Sequence, residues 1–170
     1  MSIRRFLAGL RASPEARGRL VCHRRIDARP ARYQELAQPL PPRLQEYLAR
    51  QGIAQLYTHQ AQAITAARAG KNVLSITATA SGKTLTYNLP VIETLLSDPR
   101  SRALYLFPTK ALAQDQLGKL RDFHLYPLLK PGTYDGDTPA HLRARYKREL
   151  NVVLTNPDML HVGILPYHGT

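Results

Sequence analysis

Apolar residues recur along this chain in two spacings. Short, nearly continuous runs stand at residues 72–76, 103–107 and 151–155, and their length and composition fit strands buried on both faces of a parallel sheet. Around these runs the apolar positions return at helical spacing. Leu44, Tyr47 and Leu48 mark a helix over residues 43–51, begun by Pro41-Pro42 and ended by Gly52. A second helix is predicted from a Thr58 cap to Arg68, with Gly70 as its stop, and a third covers residues 85–96. A fourth follows Lys110 and carries Leu112, Gln116, Leu117 and Leu120, and a fifth covers residues 141–150. A short strand is expected at Thr133-Tyr134, and Pro157-Asp158 starts one more helix, with an acid near its N-terminus. Alternating strands and helices predict an α/β fold in three layers, a parallel sheet with helices on both faces. With 170 residues the chain accommodates one such core. Residues 1–40, rich in Arg, Ala and Pro and only weakly periodic, are expected to be an extension, which leaves residues 41–170 as the domain.

The junction after the first apolar run carries the strongest chemical signal. Thr77-Ala78-Thr79-Ala80-Ser81-Gly82-Lys83-Thr84 is a turn of small residues between a predicted strand and a helix start. Such a turn gathers backbone N–H groups around one anionic group, and the lysine adds a point charge. Lys83 is therefore expected at the β- and γ-phosphates of ATP, and the Thr84 hydroxyl at Mg²⁺. The first position holds Thr77 where the phosphate-loop pattern asks for Gly, yet the strand-to-helix context supports the reading. Gln60 precedes Lys83 by 23 residues. A side-chain amide both donates and accepts, so Gln60 is the candidate adenine reader, with Tyr57 beside the base.

Loops at the carboxyl ends of parallel strands are where open α/β sheets bind ligands. Pro108-Thr109-Lys110 follows the second apolar run, and Thr109, Lys110 and the N–H groups of the next helix suit a nucleic-acid phosphate. An ordinary Pro-stopped turn is the alternative there. Arg143, Arg145, Lys147 and Arg148 cluster on the fifth helix, a pattern more often a solvated face than a contact.

Charge sharpens this picture. The chain holds 24 Lys and Arg against 12 Asp and Glu, a net +12, and residues 1–50 carry eleven Arg against four acids. Such a balance favours polyanionic partners, although a solvated basic face gives the same count. The lone cysteine, Cys22, forms no intrachain disulfide and no multi-cysteine zinc site, which fits a reducing compartment. No run approaches the ~18 apolar residues of a membrane span, and the basic, apolar start is broken at Arg11. A cytoplasmic protein without a membrane partner is expected. The six histidines show no ligand spacing.

Taken in order, Gln60, the phosphate loop, residues 108–116, Gly136-Asp137-Thr138 and Thr155-Asn156-Pro157-Asp158 make the sequence resemble the first RecA-like domain of the superfamily-two DEAD/DEAH-box helicases, P-loop NTPases. Residues 56–64 and 133–139 are similar to the MrfA-like DNA helicases of DNA repair. The resemblance implies an ATP-dependent DNA helicase, 3′ to 5′, with ATP held by Tyr57, Gln60 and Thr77 to Thr84, and with Lys83 and Thr84 as the catalytic pair. It also implies a single-stranded or partly duplex nucleic acid held by Pro108, Thr109, Lys110, Gln114, Gly136, Asp137, Thr155, Asn156, Pro157 and Asp158. Members of that subfamily usually have Gly where this chain has Ala78, which makes Ala78 the candidate for a positive φ.

Hydrolysis in the family uses an Asp-Glu pair, and no two acidic residues are adjacent here. The second RecA-like domain and the cysteine-rich metal domain of the subfamily have no counterpart in the sequence either. The expectation is an incomplete first domain, a fragment inactive alone. A stand-alone ATP- and nucleic-acid-binding module, an RNA helicase, and another P-loop enzyme such as a kinase or transporter ATPase are the alternatives; Gln60 and Pro108-Thr109-Lys110 argue against the last.

Overall fold

The structure is a computed structural model that describes residues 2–16, 19, 21–28 and 30–167. It divides into two compact units, residues 1–31 and 32–170. The first unit contains a helix the sequence reading missed, α1 (Ile3–Ala12), capped by the Ser2 hydroxyl, which accepts from the Arg5 N–H. Ile3, Phe6, Leu7 and Leu10 fall on one face at i, i+3, i+4 and i+7, but the interleaved arginines obscure the pattern.

The second unit begins at Arg32, earlier than the boundary expected at residue 41. Residues 32–40 pack with the domain because they carry apolar and hydrogen-bonding groups it uses. Leu40 is buried in the core and Leu36 packs against it. Gln34 donates its N–H to Leu56, and Thr58 donates to Arg32.

Its elements are α2 (Pro42–Arg50), α3 (Thr58–Arg68), α4 (Lys83–Ser97), β1 (Ala103–Leu106), α5 (Lys110–Arg121), β2 (Pro131–Thr133), α6 (Ala140–Glu149), β3 (Val152–Thr155) and α7 (Pro157–Met159), followed by tight helical turns to Tyr167. The strands form one parallel sheet in the order β1-β3-β2. Leu44, Ile64, Leu89, Ile92, Leu120, Phe123, Val152 and Leu154 are essentially inaccessible and share one cluster. Each such side chain contributes about 1.5–3 kcal/mol by leaving water. Two polar locks fix the helices that carry the site. Arg68 on α3 forms a two-pronged pair with Glu93 on α4 at 2.7 and 2.9 Å and also donates to the carbonyls of Gln38 and Pro39. Tyr105 on β1 donates its buried hydroxyl to Asn88 on α4 at 3.0 Å, and desolvation pushes its pKa up.

Two expected strands differ from expectation. Residues 72–76 form no strand, and Leu74 and Ile76 are 84 % and 83 % exposed. A buried strand needs a neighbour on each edge to satisfy its backbone, and among the described residues no strand lies beside this segment. β1 forms, but it is not buried on both faces: Tyr105 points into the core while Leu104 and Leu106 remain 47 % and 46 % exposed. It is an edge strand, covered on the side of α4 and α5 and only partly on the other, where Val153, Tyr134, Tyr146 and Ile164 gather around Leu104.

Candidate nucleotide and nucleic-acid site

The phosphate loop takes its shape from two left-handed residues, Ala80 with φ +58° and Gly82 with φ +77°. Gly82 has a second reason to be glycine, since a Cβ there would lie 2.6 Å from Nε2 of Gln60. The positive φ expected at Ala78 falls instead on Ala80. A left-handed alanine costs about 1 kcal/mol relative to glycine. Ala80→Gly should therefore raise the melting temperature of the chain and tighten nucleotide binding a few-fold; unchanged values of both would show that the loop carries no strain at this residue.

Lys83 opens α4 and turns back over its own loop, donating to the carbonyls of Thr77 at 2.8 Å and Ala78 at 2.6 Å. Thr77 and Ser81 share a hydroxyl hydrogen bond of 2.6 Å across the loop. The mouth of the turn thus presents an ammonium group at a helix N-terminus, the arrangement that suits an anionic ligand. Thr84 is half-buried one residue further on, and Tyr87 on the next turn donates its phenol to Gln116 at 2.9 Å, with burial holding its pKa above the usual phenol value.

Gln60 is placed differently from a freely pointing base reader. It is buried, its oxygen accepts the Tyr57 N–H at 2.9 Å, and its amide donates to the Gly82 carbonyl at 3.0 Å. One amide hydrogen remains for a ligand. The residue therefore couples the start of α3 to the phosphate loop, and Tyr57 rather than Thr58 is the cap of α3. The Tyr57 ring is stacked against Tyr33 at 5.3 Å and against His59 at 5.8 Å. Tyr33 was not legible as part of this site, because it lies in the segment read as an extension; the only sequence signal was a tyrosine beside a weak periodicity.

The nucleic-acid candidates converge because of strand register. Leu106 lies opposite Thr155, and Thr133 opposite Leu154, so all three strands end at one level. The ladder continues one bond further, with Phe107 donating to Thr155 and Tyr134 donating to Leu154. This brings the loops at residues 107–110, 134–138 and 155–158 side by side. Thr109 caps α5 through its hydroxyl, which accepts from the Leu112 N–H, and Asn156 caps α7, accepting from Met159. Lys110 reaches across to Asp137 at 2.6 Å, and that hydrogen bond raises the lysine pKa. Asp135, buried, accepts the Asp137 N–H at 2.9 Å and its own N–H donates to Thr138, which shapes the loop around Gly136. Gln114 donates to the Thr133 hydroxyl at 3.1 Å. Pro108, Pro157 and Asp158 are exposed. Thr155 is 2 % exposed with an unpartnered hydroxyl, so it supports the loop from beneath and does not present its side chain.

The helix that begins at Lys83 and the strands that end at these loops lie against one another through Asn88 and Tyr105, five residues into α4, about 8 Å along its axis. A lysine-bearing turn at a helix N-terminus and a row of strand-end loops thus belong to one parallel α/β unit, the class of protein that this fold defines. Comparison with known proteins gives the family: the profile described as DEAD/DEAH box helicase matches residues 57–168, and the chain belongs to that family. It is 44% identical over 145 residues to the uncharacterised ATP-dependent helicase YprA of Bacillus subtilis, covering 84% of this chain and 19% of that one. It is 43% identical to the ATP-dependent helicase HRQ1 of Saccharomyces cerevisiae, over 85% of this chain and 14% of the relative. Among solved structures it resembles the DUF1998 helicase MrfA bound to DNA, with TM-score 0.80 and 44% identity over 85% of this chain and 21% of that one. MrfA bound to DNA and AMPPNP gives a TM-score of 0.79. The chain thus spans about a fifth or less of the length of these relatives.

No helix among the described residues is long and apolar enough to cross a membrane.

Proposed function

We propose that this chain is the ATP- and nucleic-acid-binding part of an ATP-dependent DNA helicase. The observation that supports it best is the convergence of three strand-end loops around Lys110 in the same α/β unit as the Lys83 loop. DNA as the substrate is favoured over RNA by the likeness to MrfA, whose structures contain DNA. In this reading the Lys83 ammonium leaves the carbonyls of Thr77 and Ala78 for the β- and γ-phosphates, and backbone N–H groups at the start of α4 complete the cradle. Thr84, a hydroxyl at the helix start beside the lysine, would supply one oxygen to Mg²⁺ bound with the phosphates, where the ion would neutralise their charge. Gln60 contributes its remaining amide hydrogen to the base. Translocation 3′ to 5′ belongs to this proposal through the family resemblance.

Lys110 and the N–H groups of Thr109 and Asn156 are the strand-backbone contacts. The Lys110–Asp137 pair is exposed and worth little to stability, but it holds a carboxylate where a phosphate has to come. Asp137→Asn should therefore tighten binding of single-stranded DNA several-fold and steepen its salt dependence, whereas Lys110→Ala should weaken binding and flatten it. Fluorescence anisotropy across a salt series, repeated after deletion of residues 1–31 to remove the arginine-rich unit, measures both. If neither substitution changes affinity in the deleted chain, the strand-end loops are not the nucleic-acid site.

A further inference from the structure

The opposite edge of the sheet, at the amino ends of the strands, carries a second basic surface. Two adjoining cavities of about 500 and 320 Å³ open there, between the end of α5, the loop at 124–131, the segment before β1 and the end of α6. They share Lys130, Glu149 and Leu150 in their walls, so they form one groove. Its cations are Arg100, Arg102, Arg121, Lys130, Arg145 and Arg148, and His124 also lines it. Its one carboxylate, Glu149, is already paired with Arg145 at 2.8 Å.

Some of these cations have structural duties. Arg102 donates to the carbonyls of Lys147 and Arg148 and closes the end of α6, and Arg100 is paired with Asp98, outside the groove. Arg121, Lys130 and Arg148 have no ion pair among the described residues that would neutralise them. The loop that carries Lys130 is held firmly: Asn151 accepts the Lys130 N–H at 2.7 Å and donates to the Leu128 carbonyl at 2.6 Å. That loop also presents Tyr126, which is 83 % exposed. The Tyr126 ring lines the cavity with Arg121, Lys130 and Arg145. An aromatic ring open to solvent beside the unpaired cations Arg121 and Lys130 is a combination that suits single strands, the cations taking phosphates and the ring taking a base.

We propose that this groove is a second binding site for single-stranded nucleic acid, with phosphates on Arg121, Lys130 and Arg148 and one base stacked on Tyr126. The site lies at the far ends of the strands from the Lys110 loops, roughly 13 Å away along a four-residue strand. It gives the basic face of α6 a role, and it does not depend on the phosphate loop. A strand engaged at one edge would be captured at the other as well, so the two sites act on one ligand with a raised effective concentration.

The test is anisotropy on the full 170-residue chain with a short oligodeoxythymidylate and an abasic strand of equal length. Tyr126→Ala should lower oligodeoxythymidylate affinity roughly tenfold and leave the abasic strand unchanged, because stacking needs a base. The double variant Lys130→Glu, Arg148→Glu should weaken both ligands and reduce the salt slope by about two. Lys110→Ala is measured alongside: an unchanged result there bears on the strand-end loops and leaves the Tyr126 result standing. Equal binding of the two ligands to the parent chain, or oligodeoxythymidylate affinity indifferent to Tyr126→Ala, would overturn the stacking site. Polyglutamate binding that responds to the charge reversals while the oligonucleotide does not would assign the groove to an acidic protein segment and overturn it too. Tyr126 and Arg148 are exposed and Lys130 is half-buried at the rim, so a melting curve matching the parent confirms that the variants are folded.

Discussion

Lys83→Ala is expected to reduce binding of a non-hydrolysable ATP analogue more than a hundredfold, as read by isothermal titration. The side chain is the only ammonium group in the loop at residues 77–84, and a hydrogen bond from it to a phosphate is worth about 1.5–3 kcal/mol, with at least two phosphate oxygens within a lysine's reach. The Lys83 ammonium bridges the carbonyls of Thr77 and Ala78, bonds the parent gives up when the ammonium turns to phosphate, so the loss on substitution is that of the phosphate contacts net of these two. The fold itself should persist, because α4 is anchored elsewhere, by Arg68–Glu93 and by Tyr105–Asn88. An unchanged affinity would remove Lys83 from the site and with it the phosphate-loop assignment.

Turnover carries the other large effect. The 170 residues by themselves should show no ATPase stimulated by nucleic acid and no strand separation. Hydrolysis needs a carboxylate to position water and a cation brought to the γ-phosphate; an arginine in that role is worth about 10³–10⁵ in rate in related phosphoryl-transfer systems. No acidic pair stands in the sequence, and the two carboxylates that follow β2 are committed. Asp135 is buried and accepts the Asp137 N–H, and Asp137 is paired with Lys110. A phosphate-release assay with and without single-stranded DNA measures the rate. Stimulated hydrolysis that disappears in Lys83→Ala would require a water-activating residue within this chain, with Asp135, Asp137 and Asp158 the first to be substituted.

Much of the domain was written in local pattern. The helices at 42–50, 58–68, 83–97, 110–121 and 140–149 fall within a residue or two of their apolar periodicity, because an amphipathic stripe and its caps are properties of neighbouring residues. The same holds for β3 and for the phosphate loop, whose small residues, lysine and helix start are contiguous. The motif at residues 77–84 was therefore visible without any contact being known, and so was the family that residues 57–168 place it in.

What the tertiary structure alone decided are relations between distant residues. The sequence could mark residues 72–76 as apolar, but a strand exists only where another strand completes its hydrogen bonds, and none among the described residues does so. It could mark residues 103–107 as apolar, but their position at the sheet edge, which leaves Leu104 and Leu106 half open, depends on β3 lying between β1 and β2. The strain in the loop sits on Ala80 and not on Ala78 because backbone dihedrals follow from closing the turn beneath Gln60. Lys110 meets Asp137, and Tyr33 meets Tyr57, across 27 and 24 residues, for the same physical reason: charge and ring contacts are set by strand register and chain crossing, which single-residue preferences do not encode.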